Sequence, residues 1–145
     1  MQLLKFTIDT HMQYSIHLNK EIQFELNGFT ACYTKQYLAI LSILNNVLSN
    51  AVEAIDKKGD ITIHVKEMDD ELHFIIENNG PAIHPHNLNV LFDAGFTTKF
   101  DLNGNASTGI GLYHVQSIVK SLGGTVHVTS DEITTFHLTV NKQFL

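Results

Sequence analysis

The chain has one cysteine, two prolines and nine Lys and Arg residues against fifteen Asp and Glu in its 145 positions. Each scarcity removes a class of protein. A lone thiol, Cys32, forms no internal disulfide and suits a reducing cytosol. The formal charge of −6 lacks the clustered cations of a nucleic-acid surface, so no nucleic-acid partner is expected. Any polyphosphate must therefore be held by local devices: backbone amides, a bound cation, one or two placed basic side chains. No apolar run approaches the ~18 residues of a membrane-spanning helix, and the N-terminus has no signal pattern. A cytoplasmic location is expected, whether or not the chain was cut from a membrane-anchored parent. Without low-complexity tracts, repeats or Pro-rich linkers, residues 1–145 read as a single domain.

What is present is ordinary globular material, 43% hydrophobic and 17% charged. Periodicity predicts a short helix near Leu3–Met12, then short strands at Ser15–Leu18 and Glu21–Leu26 joined at Asn19-Lys20, with Asn27-Gly28 ending the second. From Lys35 to Lys57 a broad apolar arc running from Ile40 through Leu44, Leu48 and Val52 to Ile55 predicts a long helix, stopped by Gly59. The segments 60–67 and 71–78 alternate and predict an antiparallel pair turning at Asp69-Asp70. A helical turn is expected at Asn87–Phe92 inside a long loop, and a second helix at Gly109–Leu122, closed by Gly123-Gly124. Thr125–Ser130 and Thr134–Asn141 predict a hairpin around Asp131-Glu132. The fold class is α/β, a two-layer sandwich of helices on one face of a mixed, mostly antiparallel sheet.

Four stations along this framework carry chemistry. On the long helix, Asn46, Asn50, Glu53 and Lys57 are spaced to share one narrow face opposite the apolar arc. A solvated helix face is one reading, yet Asn is a poor helix former and such faces favour Glu, Lys or Gln. The other reading is a pair of neutral carbonyl oxygens for a hard, hydrated cation such as Mg²⁺ held mainly by substrate phosphates. At Asn78-Asn79-Gly80-Pro81-Ala82-Ile83 an apolar strand face ends in a polar tip, where a purine edge can be read, or where an ordinary Asn-Gly turn lies. Lys99, after Thr97-Thr98, can reach a terminal phosphate or serve solubility alone. Thr108-Gly109-Ile110-Gly111-Leu112 opens a helix whose first amides can face an anion. That loop is neither Walker A nor the dinucleotide fingerprint, because no Gly-Lys-Ser/Thr follows and His114 stands where a third glycine belongs.

The nine histidines show no convincing metal-ligand spacing. His84 and His86 merely flank Pro85, and His114 reads as a packed or surface helix residue. No nucleophile elbow is present, and Cys32 has no local signature of a nucleophile.

Taken in order, the stations resemble the catalytic, ATP-binding domain of sensor histidine kinases, in the superfamily that also contains gyrase, MutL and the heat-shock chaperone ATPases. Asn46 to Ala54 resembles the N box, Asn78 to Ile83 the G1 box, Phe92 to Lys99 the F box and Ser107 to Leu112 the G2 box. Gly-Phe-Thr-Thr-Lys and the Asn-Ala-x-Glu-Ala ending are most similar to kinases that sense small metabolites such as carboxylates or glutamine.

The resemblance implies the Bergerat ATP-binding fold with ATP and Mg²⁺ as cofactors. It implies Asn50 as the Mg²⁺ ligand, with Asn46 beside it near the phosphates and Glu53 on the same face. Asn78 would read adenine within a turn completed by Gly80, Ala82 and Ile83. Phe92, Thr97, Thr98 and Lys99 belong to a lid, roughly Pro85 to Thr108, with Lys99 on the γ-phosphate. Thr108, Gly109, Ile110, Gly111 and Leu112 form the phosphate loop, with amides of Gly109 and Gly111 cradling phosphate. Asn46 and Lys99 are the expected catalytic residues.

Two positions depart from the pattern: Asn78 replaces the adenine-reading Asp, and Ser107 the first glycine of the G2 box. The true ATPases of the superfamily place a Glu at the position of Asn46 to activate water, and Asn cannot serve as that base. The implied partners are a phosphoacceptor hairpin, supplied by another segment or chain, and a response regulator. The fragment itself is expected to be monomeric and the intact kinase homodimeric. A nucleotide-deficient docking or phosphotransfer module is the second reading, supported by Asn78. A gyrase-type ATPase is the third, opposed by Asn46.

Overall fold

The computed structural model describes residues 2–93 and 111–145. Its first element, α1 (Gln2–His17), is longer than expected. Ser15–Leu18, predicted as a strand, instead completes this helix and its cap. The alternation there is real, but Leu4, Ile8, His11 and Ser15 are all buried and recur at helical spacing. Two of the four are polar, which hid the stripe. Asn19 ends the helix with φ 58°. Its amide donates to Ile16 O at 2.9 Å and that of Lys20 to Ser15 O at 2.9 Å, a Schellman closure rather than a strand junction.

β1 (Glu21–Gly28) consequently has no hairpin partner before it. It pairs in parallel with β2 (Lys58–Met68), Phe24 facing Ile61 in register, and α2 (Tyr37–Ala54) makes the crossover between them. Gly28 closes β1 at φ 93°, where a Cβ would lie 2.1 Å from Val65 O. α2 buries Ile40, Ile43, Leu44, Val47, Leu48, Ala51 and Val52, the predicted arc. It stops three residues earlier than expected. Ile55 turns extended at ψ 127°, and Lys20 Nζ donates to Val52 O at 3.0 Å and Glu53 O at 3.4 Å, a cation on the helix C-terminus. Lys57 is therefore not on the helical face with Asn46 and Asn50, and Gly59 lies inside β2 rather than stopping the helix.

The hairpin β2–β3 turns at Asp69, φ 53°, with β3 spanning Glu71–Asn78. α3 (Pro85–Leu88) is the helical turn, placed two residues earlier than expected because Pro85 starts it and His84 Nδ1 caps it by accepting from the His86 amide at 3.1 Å. α4 (Gly111–Ser121) buries Val115 and Val119. The two residues expected before it, Gly109 and Ile110, lie outside the described residues. β4 (Thr125–Ser130) and β5 (Thr134–Asn141) form the predicted hairpin.

The sheet order is β1-β2-β3-β5-β4, antiparallel except for β1–β2. Inward residues Ile61, Ile63, Phe74, Ile76, Phe136 and Leu138 share one core cluster with Leu4, Leu48 and Val119 from the helices. This is the expected layered α/β fold. No helix among the described residues is long and apolar enough to cross a membrane.

Candidate nucleotide site

α2 and α4 converge at their polar edges. Asn46 Nδ2 donates back to Ser42 O at 2.8 Å, an i to i−4 bond that satisfies its donor within the helix. This fixes the flip of the carboxamide and turns Oδ1 outward, toward the first residue of α4. A Cβ on Gly111 would come within 2.8 Å of that oxygen. Only glycine lets α4 begin there without displacing Asn46. Asn50, one turn on, is half-buried on the same helix. Glu53 turns the other way: its Oε1 accepts from Tyr14 Oη of α1 at 3.0 Å. Burial and this carboxylate both push the Tyr14 phenol up from its ordinary value.

The turn after β3 is locked from three sides. Asn78 is 2% exposed and its Oδ1 accepts from the Gly80 amide at 3.0 Å. Alternation places Asn78 on the core side with Phe74 and Ile76, as expected. A Cβ on Gly80 would lie 2.9 Å from Ala54 O, so the turn packs directly on the end of α2. Asn79 Oδ1 accepts from the Asp60 amide at 2.7 Å while its Nδ2 donates to Asp60 Oδ2 at 3.0 Å, fastening the turn to β2. The Ile83 amide donates to Ser130 Oγ at 2.7 Å, and Ser130 Oγ lies 2.6 Å from Thr134 Oγ1. Ala82 is exposed and Ile83 packs on the core margin.

Asp60, Ser130, Thr134 and Tyr14 were not among the sequence candidates. Their roles come from register and helix packing, and no local pattern marks them. The same holds for His11, which is 3% exposed. Its Nδ1 lies 2.8 Å from Thr7 O, so Nδ1 carries the proton, and Nε2 accepts from Ser49 Oγ at 2.9 Å. Ser49 adjoins Asn50, so α1 grips the helix beside its polar edge.

Phe92 packs edge-on to Phe136, ring centroids 6.4 Å apart, tying the segment after α3 to the core. Leu112 packs on the core margin. Thr97, Thr98, Lys99, Ser107, Thr108, Gly109 and Ile110 lie outside the described residues. The site is thus described for α2, the β3 turn, Phe92 and the first turn of α4.

A family model described as histidine kinase-, DNA gyrase B- and HSP90-like ATPase matches residues 36–143. The chain belongs to this ATPase family. Sensor histidine kinase GlnK of Bacillus subtilis (strain 168) is 36% identical over 125 residues, covering 86% of this chain and 30% of GlnK. Sensor histidine kinase DcuS of Escherichia coli (strain K12) is 29% identical over 124 residues, 84% of this chain and 21% of DcuS. The chain spans less than a third of these curated relatives. Among solved structures, the nucleotide-free catalytic domain of histidine kinase ThkA superposes with TM-score 0.80 at 23% identity, covering 97% of this chain and 92% of that one. The family is one of ATPases, which implies ATP binding, and the approach of Asn46 to Gly111 occurs on a fold shared with that catalytic domain.

Proposed function

We propose that residues 1–145 are one catalytic domain of a sensor histidine kinase, binding ATP with Mg²⁺ and delivering the γ-phosphoryl group to a histidine on a separate dimerisation hairpin. The observation that carries this reading is the contact of the Asn46 carboxamide oxygen with the glycine that opens α4. A neutral oxygen there, with Asn50 one turn away, fits a hard cation that keeps much of its water. The absence of a Cβ at Gly111 lets the start of α4 come up against Asn46, which sets a helix N-terminus beside the polar edge of α2, where it can face an anion. Asn50 would hold Mg²⁺, which when bound screens the phosphate charge.

The chain's own residues then position and orient. Asn46, its donor tied to Ser42 O, offers only its carbonyl oxygen and cannot take a proton from water. Water is therefore a poor nucleophile here, and a histidine from the hairpin serves. Asn78, with Oδ1 engaged by the Gly80 amide, presents its NH₂ as the donor toward a ring nitrogen of adenine. Lys99 and the phosphate loop, Thr108 to Leu112, are assigned to the γ-phosphate and its neighbours. Phosphoryl transfer needs little more than such positioning and charge stabilisation. The relatives are named sensor histidine kinases, and on this reading the partners are the hairpin and a response regulator.

The test is reconstitution. The isolated chain should neither hydrolyse ATP quickly nor label itself, and adding the dimeric hairpin of its own kinase should yield acid-labile phosphohistidine. Efficient self-labelling by the isolated chain would overturn this division of roles. Failure of wild type to bind millimolar ATP would favour the docking module instead.

A further inference from the structure

Four of the nine histidines lie on the sheet face opposite the helices, brought together from separate strands. In one row across β2, β3, β5 and β4 the register reads His64, Ile75, His137, His127. His73 precedes Ile75 by two residues and shares its face, flanked in register by Lys66 and Thr139. His64 is engaged by Glu77, Nε2 to Oε1 2.7 Å. His73 and His137 meet each other: His73 Nδ1 lies 2.8 Å from His137 Nε2, with ring centroids 5.0 Å apart.

This pair has an unusual arrangement of protons. His73 Nε2 is buried and has no hydrogen-bond partner, and Glu71 Oε1 stands 3.8 Å away from it. A bare lone pair at Nε2 would face a carboxylate, so the favoured tautomer keeps the proton on Nε2. Nδ1 of His73 is then an unprotonated acceptor, receiving from His137 Nε2–H.

We propose that His73 Nδ1 and His137 Nε2 form a two-histidine site for a borderline divalent transition ion, Zn²⁺ or Cu²⁺, with Glu71 as the outer carboxylate that orients His73. Adjacent ligands of an ion with metal–nitrogen bonds of about 2.0–2.1 Å stand roughly 2.9–3.4 Å apart. The two nitrogens stand 2.8 Å apart, close to that bite, and the rings must turn so that both nitrogens face the ion instead of each other. Binding breaks the hydrogen bond between the rings and moves the His137 proton from Nε2 to Nδ1, so neutral rings release no net proton. A ligating imidazole characteristically directs its second N–H at a carboxylate, and Glu71 stands on that side of His73, 3.8 Å from Nε2. Among the described residues no group of three or more His, Cys, Asp or Glu is placed to hold an ion alone. Water completes the coordination sphere on the solvent side, and imidazole donors select Zn²⁺ or Cu²⁺ over Mg²⁺.

The experiment is Zn²⁺ titration of the full chain by calorimetry without nucleotide, with ¹⁵N spectra of the histidine rings in parallel. One equivalent should bind, with His73 and His137 resonances shifting first and Mg²⁺ producing no such shift. His73→Gln and His137→Gln should each weaken binding about tenfold or more, and Glu71→Gln about tenfold, while His64→Gln leaves it unchanged. The wild-type ring spectra decide the matter even if a variant folds poorly. Absence of binding at millimolar Zn²⁺ would overturn the proposal. So would equal shifts at His64 and His127, which indicate diffuse surface binding.

Discussion

Gly111 abuts Asn46 so closely that a single added methyl would stand 2.8 Å from the Asn46 Oδ1. Two chain segments 65 positions apart thereby become one wall of the proposed nucleotide site. Inside a helix, alanine is ordinarily about 1 kcal/mol better than glycine. Gly111→Ala is nevertheless expected to cost stability or leave it flat, and to weaken ATP binding about tenfold, because Asn46 must move. Thermal melting and calorimetry on the same protein check this. A variant more stable by the full propensity gain, with unchanged ATP affinity, would reduce the contact to chance.

Asn78 is buried with its carbonyl oxygen on the Gly80 amide. Asn78→Asp keeps that acceptor and puts a charged oxygen where the NH₂ stood, which accepts from the adenine amino group instead of donating to a ring nitrogen, so ATP should bind tighter by on the order of 1 kcal/mol. The empty domain should lose a comparable amount of stability, since the new carboxylate is 2% exposed without a partner base. Paired melting curves with and without ATP resolve the two effects. Unchanged affinity would mean that Asn78 does not read the base.

Tyr14 and Glu53 join α1 to α2 through a 3.0 Å hydrogen bond. Tyr14→Phe should cost about 1 kcal/mol, and a double-mutant cycle with Glu53→Gln should show coupling of at least about 0.5 kcal/mol. If Glu53 instead contacts nucleotide, Glu53→Gln should depress ATP affinity while Tyr14→Phe does not. Comparing the two variants by calorimetry separates these outcomes.

The pH dependence follows from His137, whose folded pKa is pushed below its ordinary value near 6.5. The unfolded chain then binds more protons than the native one as pH falls through 6.5. Stability should decline below that point and level off once the folded group also titrates. His137→Gln should flatten this part of the stability–pH curve. An unchanged slope in denaturant titrations between about pH 7 and 5 would assign the acid loss elsewhere.

Periodicity made the long helix, both hairpins and the layered sheet readable, because apolar residues at helical or alternating spacing dominate there. It failed at α1. His11 and Ser15 occupy buried positions through polar contacts to Thr7 O, Ser49 and Met12 O, so the stripe looked broken. The parallel β1–β2 pairing was hidden with it, since a strand at Ser15–Leu18 offered β1 a false neighbour. The stations proposed to hold nucleotide stood out in the sequence as Asn and Gly spacings. Their fastenings, Asn79 to Asp60 and Ile83 to Ser130, depend on strand register and have no local pattern. The histidine pair escaped for the same reason: His73 and His137 lie 64 residues apart and meet only when β3 pairs with β5.

The central claim is that the polar edge of α2 holds Mg²⁺ and ATP. ATP titration of wild type and Asn50→Ala, each with and without Mg²⁺, measures it directly. Wild type should bind ATP in a Mg²⁺-dependent manner, and Asn50→Ala should lose that dependence while melting at an unchanged temperature. Wild-type affinity in a folded Asn50→Ala chain would contradict the account and leave the polar edge as solvated surface.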